Sequence, residues 1–217
     1  MTRRSKAKAE LGLTAAMVWL ACAGLFSSRA WAQASPPPSD VYRLNYYANA
    51  HTRAPDATVH IVNPTAATLC ADIYVFDANQ NENECCSCPI THNGLLTLSV
   101  NRDLTSNPLT PNTVLTNGVI KIVSTASPSA LATTCNAKTI TADNLAPELR
   151  AWITHYTSVF PGAIGTLGGT EEEFAAADLS DAELTFLTTP CNTSTTAAAP
   201  TGVCTCGSGS PGSPTGG

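Results

Sequence analysis

Charged side chains are scarce. Asp, Glu, Lys and Arg make up 12% of the 217 residues, about half of the roughly 25% usual in soluble domains. Aromatic residues reach only 6%. After the N-terminal segment, Lys and Arg nowhere form the clustered patch that nucleic acid requires. No apolar run reaches the roughly 20 residues needed to span a bilayer. The chain has no G-x-S-x-G, no H-E-x-x-H and no glycine-rich phosphate loop, so the common signatures of hydrolases, zinc proteases and nucleotide enzymes are missing, and no cofactor is implied. Glu171-Glu172-Glu173 stands without an EF-hand pattern and reads as a solvated run or a helix start.

The N-terminus carries an address. Arg3, Arg4, Lys6 and Lys8 precede an apolar stretch from Leu11 to Phe26, and Ala30-Trp31-Ala32 forms an A-x-A exit. These are the three parts of a secretory signal peptide, here residues 1–32 with cleavage near Ala32. A lipoprotein site at Cys22 is the minor alternative, with Trp19 too large for its aliphatic position. Removing residues 1–32 leaves six basic and fifteen acidic residues, a net charge of −9. Such a chain repels nucleic acid and anionic lipid and has no membrane span. Residues 33–40 (QASPPPSD) read as an extended Pro-rich leader, and 207–217 (GSGSPGSPTGG) as a flexible Gly/Ser/Pro tail. One domain remains, 41–206.

Within it the apolar pattern has period two. Asp56 to Pro64, Leu69 to Phe76, Leu95 to Val100, Val119 to Val123 and Leu149 to Tyr156 are strands separated by Gly, Pro and Asn turns, and Tyr42 to Ala48 adds an edge strand. Leu69, Ala71, Ile73 and Val75 share one face, with Cys70, Asp72, Tyr74 and Phe76 on the other. The pattern predicts a mainly β fold, an antiparallel β-sandwich, Ig-like or similar. Ser180-x-x-Glu183 is a capping box that starts a short C-terminal helix over 181–188, ended by Pro190. Residues 171–179 suit either helix or strand.

Eight cysteines survive signal removal: Cys70, Cys85, Cys86, Cys88, Cys135, Cys191, Cys204 and Cys206. An even count in an exported chain reads as disulfides. Cys85 and Cys86 have Cα atoms about 3.8 Å apart, short of the roughly 4.4–6.8 Å a disulfide wants. Cys86 to Cys88 and Cys204 to Cys206 would also close awkward rings. If none bridges locally, Cys85, Cys86 and Cys88 take three of the other five and the last two pair together. At least one of Cys191, Cys204 and Cys206 must join the 85–88 hub, tying the C-terminal region back to the sheet. The alternative is an extracytoplasmic zinc, copper(I) or redox centre: Cys85, Cys88 and His92 form C-x₂-C-x₃-H, and Cys204-x-Cys206 could complete a thiolate set. Haem is disfavoured because Pro89 follows Cys88.

Arg150, Trp152 and Tyr156 share a strand face with Thr154. This row is either an interaction face for a protein or glycan or packing beneath a loop or the C-terminal helix. A hydrolase would need His60 or His155 joined to a carboxylate and a nucleophile in one cleft. His60 is expected on a solvent face, and His155 continues the apolar row of Leu149, Ala151 and Ile153.

The run Glu84-Cys85-Cys86-Ser87-Cys88-Pro89, then Asn93-Gly94-Leu95 and Asp103 to Thr110, resembles a group of secreted bacterial proteins with an E-C-C-x-C-P motif and no assigned activity. Leu179-Ser180-Asp181-Ala182-Glu183-Leu184 and Gly202-Val203-Cys204 are similar too. The resemblance implies a shared architecture over most of the mature chain and carries over no catalytic residue. The expectation is a secreted or cell-surface, disulfide-stapled, non-catalytic scaffold, with adhesive binding or self-assembly by strand addition as its specific forms. A secreted hydrolase without a recognisable motif is the remaining alternative.

Overall fold

The computed structural model describes residues 40–108, 113–128, 135–158, 167–193 and 204–207. The expected signal segment 1–32, the expected leader up to residue 39 and the expected tail beyond Gly207 lie outside the described residues. The strands are β1 (Tyr42–Tyr47), β2 (Thr58–Val62), β3 (Leu69–Asp77), β4 (Glu82–Ile90), β5 (Leu95–Ser99), β6 (Gly118–Ala126), β7 (Arg150–Ser158), β8 (Leu167–Glu173) and β9 (Ala175–Ala176). The helix α1 spans Asp181–Thr193. All strand pairings are antiparallel. They build a five-stranded sheet, β4-β3-β6-β1-β9, and a four-stranded sheet, β5-β2-β7-β8. The expected β-sandwich is present, stapled by disulfides and followed by a helix.

Alternation places the core. Leu69, Ala71, Ile73 and Val75 of β3 meet Val59, Ile61, Leu96, Leu98, Ala151 and Ile153 of the facing sheet in one buried cluster. The opposite face of β3 is also covered, although one face of an antiparallel sheet is often left to water. Tyr74, Phe76 and Val123 pack there against Ala137, Ile140, Leu179, Leu184, Leu187 and Cys191. The five-stranded sheet is therefore the middle layer of three. This explains why eight successive residues of β3 are buried.

Several local readings are refined. β1 is not a free edge: it pairs with β6 along its length and with β9 at Arg43 and Leu44. Within 171–179, Glu171–Glu173 belong to β8 and Ala175–Ala176 to β9, because β7 and β1 supply strand partners that outweigh helix propensity. Pro190 does not end the helix, which continues to Thr193. Cys191, bonded to Cys85, anchors that last turn. The capping box is half formed. Ser180 Oγ accepts from Glu183 N (3.1 Å), while the Glu183 carboxylate accepts from Tyr42 Oη and Lys121 Nζ (both 2.7 Å). Gly118 serves close approach: a Cβ there would lie 1.9 Å from Phe76 O.

Both long sides of the sandwich are closed. On one side the chain leaves β8 and enters β9 through Phe174, crossing from one sheet to the other. Phe174 is 1% exposed, donates its N–H to Ala151 O (2.8 Å) and accepts from Arg43 Nη1 (3.3 Å). On the other side residues 204–207 lie between edge strands β4 and β5. Cys204 N donates to Cys85 O (3.3 Å), Thr205 N to Asp103 O (2.8 Å), and Gly207, at a left-handed φ of 69°, sits against Thr97 O.

Phe174→Ala should destabilise the domain by about 3–5 kcal/mol, the usual cost of emptying a buried aromatic site. Phe186→Ala, on an exposed helix position, should cost about 1 kcal/mol or less. Equilibrium denaturant unfolding of both variants checks this, and equal losses would contradict the crossing role of Phe174.

Candidate functional site

The five-stranded sheet is covered on both faces, so the outward face of the four-stranded sheet is the broad uncovered one among the described residues. The registers set its contents. His60 stands opposite Thr97 on one side and Trp152 on the other, and Trp152 stands opposite Glu173. Val62 lies between Leu95 and Arg150. Thr154 and Tyr156 continue along β7 beside Glu171 and Gly169. Arg150, Trp152, Thr154 and Tyr156 are all exposed or half-buried. The row is not beneath α1, which packs on the other sheet.

Two contacts fix this row. Arg150 Nη1 lies 3.4 Å from Glu173 Oε1, which is also 3.6 Å from the buried Arg43. The Tyr156 ring rests over Gly169, where an added Cβ would come within 3.3 Å of its Cε1. A glycine beneath a cross-strand aromatic lets the ring lie flat on the sheet. His60 donates to or accepts from Thr97 Oγ1 at 3.1 Å and belongs to the same exposed face.

At the C-terminal end of this row, Tyr46, Asn49, Pro55, His155 and Tyr156 line a shallow pocket of about 180 Å³. The Tyr46 ring is stacked on His155, with centroids 4.2 Å apart and planes 11° off parallel, while remaining 50% exposed. His155 is 9% exposed, and its Nε2 lies 3.5 Å from Glu172 Oε2. Burial lowers the His155 pKa, opposed by the Glu172 charge, so the imidazole is neutral near pH 7. His155 in the pocket is near the Glu172 carboxylate, which is not part of the lining, and no Ser, Thr or Cys lines the pocket among the described residues. The nucleophile that a hydrolase reading requires is not supplied there. His51 is engaged elsewhere, with Nε2 2.9 Å from Thr105 O. His92 is exposed in the β4–β5 turn.

The cysteines are joined as Cys70–Cys135, Cys85–Cys191, Cys86–Cys204 and Cys88–Cys206, with Cα separations of 5.6, 5.8, 5.1 and 5.4 Å. Cys85 lies on the α1 side of β4, Cys86 and Cys88 on the side of the facing sheet. Cys85 and Cys88, three residues apart on a strand, therefore point to opposite faces. They do not converge with His92 as the C-x₂-C-x₃-H reading requires. Ligand-type atoms of Glu82, Cys85 and Cys191 come within 4.8 Å of one another, but the two sulfurs are bonded together.

Carboxylates that sequence reasoning missed surround this hub. Glu82 is 8% exposed and neither oxygen has a hydrogen-bond partner. Burial pushes its pKa up to about 8, partly offset by the Lys121 charge. Glu84 is fully buried, accepts from Asn107 N (2.6 Å), and is likewise pushed up to about 8 by burial. Asp72, raised to about 6 by burial, accepts from Ser87 and Thr125. The only sequence signal for this is the placement of Glu82 and Glu84 at alternating positions in a strand whose partner, β3, is apolar on one face and carries Cys70, Tyr74 and Phe76 beside Asp72 on the other.

No family model matches the chain, and no curated protein or solved structure matches it.

A pH dependence follows from the two glutamates. A carboxyl whose folded pKa is raised holds its proton after the unfolded chain has released it, near the ordinary value of about 4.3. Its favourable contribution is complete in acid and is lost as pH rises through its folded pKa. Glu82→Gln with Glu84→Gln should therefore gain in melting temperature relative to the parent as pH rises from about 5 to about 8. Below about pH 6.5 the parent also feels His155, whose lowered pKa acts with the opposite sign and is shared by the variant. A parent–variant difference that stays constant over this range would contradict the assignment.

Proposed function

We propose that the protein is an exported, non-catalytic interaction module that binds its partner through the outward face of the four-stranded sheet. The observation that carries this is the row of exposed Arg150 and half-buried Trp152, Thr154 and Tyr156, held in place on the one broad face left uncovered among the described residues. Large aromatic and Arg side chains provide most of the binding energy at recognition sites, because they add contact area at small entropic cost. Four disulfides suit an oxidising, extracytoplasmic compartment. The segment 1–32 is the export signal in this reading. No helix among the described residues is long and apolar enough to cross a membrane.

Face binding is favoured over strand addition by the state of the sheet edges. Residues 204–207 fill the seam beside β4 and β5. β9 is two residues long. β8 carries two glycines and three exposed glutamates, the charged composition that discourages pairing with another chain.

Trp152→Ala should weaken binding of the purified protein to the envelope of the producing bacterium by about tenfold or more. Its melting temperature should stay within about 2 °C of the parent, because Trp152 faces outward. Sedimentation of labelled protein with isolated envelopes measures the first and calorimetry the second. Unchanged binding by a folded Trp152→Ala variant would overturn the reading.

A further inference from the structure

The uncovered face and the pocket at its end form one continuous feature, because Tyr156 belongs to both. Trp152 and Tyr156 lie four residues apart on β7, about 13 Å at roughly 3.3 Å per residue. At Tyr156 the strip adjoins the pocket walled by Tyr46 and His155. The shape is a flat strip with a recess at one end, suited to a linear chain whose last unit is held differently from the others.

The chemistry along the strip narrows the chain type. Each aromatic platform is bordered by hydrogen-bonding groups rather than by further apolar side chains. Trp152 lies between His60 and Glu173, Thr97 stands beyond His60, and Thr154 separates Trp152 from Tyr156. Leu95, 57% exposed, is the one large aliphatic residue among the exposed hydrophobics on this face. A protein partner would call for a contiguous apolar centre around the aromatic anchors. A sugar ring presents an apolar C–H face to a flat aromatic and a rim of hydroxyls to polar groups beside it, the alternation found here. The preset rings support such stacking: Tyr156 is bedded on Gly169, and Tyr46 is held parallel to His155.

Charge narrows it further. Glu171 and Glu173 line the β8 side of the strip, while Glu172 alternates to the other face of β8; all three are exposed. Glu173 is met by Arg150 and Arg43, and Glu172 by the neutral imidazole of His155. Glu171 has no cation beside it among the described residues. An anionic chain would be repelled along this border.

We propose that this face takes a neutral oligosaccharide, laid along β7 with its terminal ring seated in the pocket of Tyr46, Asn49, Pro55, His155 and Tyr156. The inference rests on the sheet-face reading and specifies the ligand class. Isothermal titration with linear β-1,4-glucose, α-1,4-glucose and β-1,4-N-acetylglucosamine oligomers of increasing length tests it, with oligogalacturonate as the anionic comparison. At least one neutral series should bind, with affinity rising over the first few rings. Trp152→Ala and Tyr46→Ala should each weaken that binding by about tenfold, Tyr46→Phe should retain it, and oligogalacturonate should bind far more weakly. Failure of all three neutral series, equal binding of the anionic chain, or unchanged binding by a folded Tyr46→Ala variant would overturn the inference. The two readings separate cleanly. If Trp152→Ala lowers envelope binding but neutral oligosaccharides neither bind nor compete, the face reading stands and the saccharide assignment falls. If Trp152→Ala leaves envelope binding intact, the face reading falls with it.

Discussion

One strand is fastened on both of its faces, and the rest of the molecule depends on that. β4 sends Cys85 to Cys191 of the helix on one side, and Cys86 and Cys88 to Cys204 and Cys206 on the other. The strand is an edge of the middle sheet, so without these bonds it would be the natural place for the layers to separate. The alternation that forbids neighbouring cysteines from bridging each other sends them to different segments. The same geometry binds the outer layer and the closing C-terminal strip to one element.

The bonds are not equivalent in what they do. Cys85–Cys191 and Cys86–Cys204 close long loops, with separations of 106 and 118 residues, and restrict the unfolded chain on the scale of about 2–4 kcal/mol each. Cys88–Cys206 spans the same separation of 118, but once Cys86–Cys204 exists it closes only a small additional ring. Its effect is to hold residues 204–206 flat against β4 and thereby keep the seam shut. Around this hub the chain buries Glu82 and Glu84 in largely unpartnered surroundings. The cross-links offset the cost of burying such groups.

With one sheet enclosed and the seams closed, the outward face of the other sheet is the broad one left uncovered among the described residues, and it is the face proposed for recognition. That face differs from the core faces in kind: threonines, histidine, glutamates and an arginine surround two aromatic platforms. Arg150, Glu171 and Glu173 are its charged members among the described residues.

Much of this was legible in the residues. The period-two runs gave the strands and their inward faces, and cysteine counting gave the hub and its link to the C-terminal region. The row Arg150, Trp152 and Tyr156 followed from alternation along one strand. Other features were hidden because they depend on non-local partners. The extended state of Glu171–Glu173 needs β7 beside it, the continuation of α1 past Pro190 needs the Cys85 anchor, and the Tyr46–His155 stack joins strands from different sheets. The buried state of Glu84 was masked by ordinary composition: nothing local distinguishes an acid on a solvent face from one turned into a core.

The most direct measurement is disulfide mapping of protein purified from its own host, by stepwise partial reduction, differential alkylation and mass spectrometry. The account predicts Cys70–Cys135, Cys85–Cys191, Cys86–Cys204 and Cys88–Cys206. A bridge within the 85–88 cluster, a bridge between Cys204 and Cys206, or free thiols at these positions in native material would contradict it.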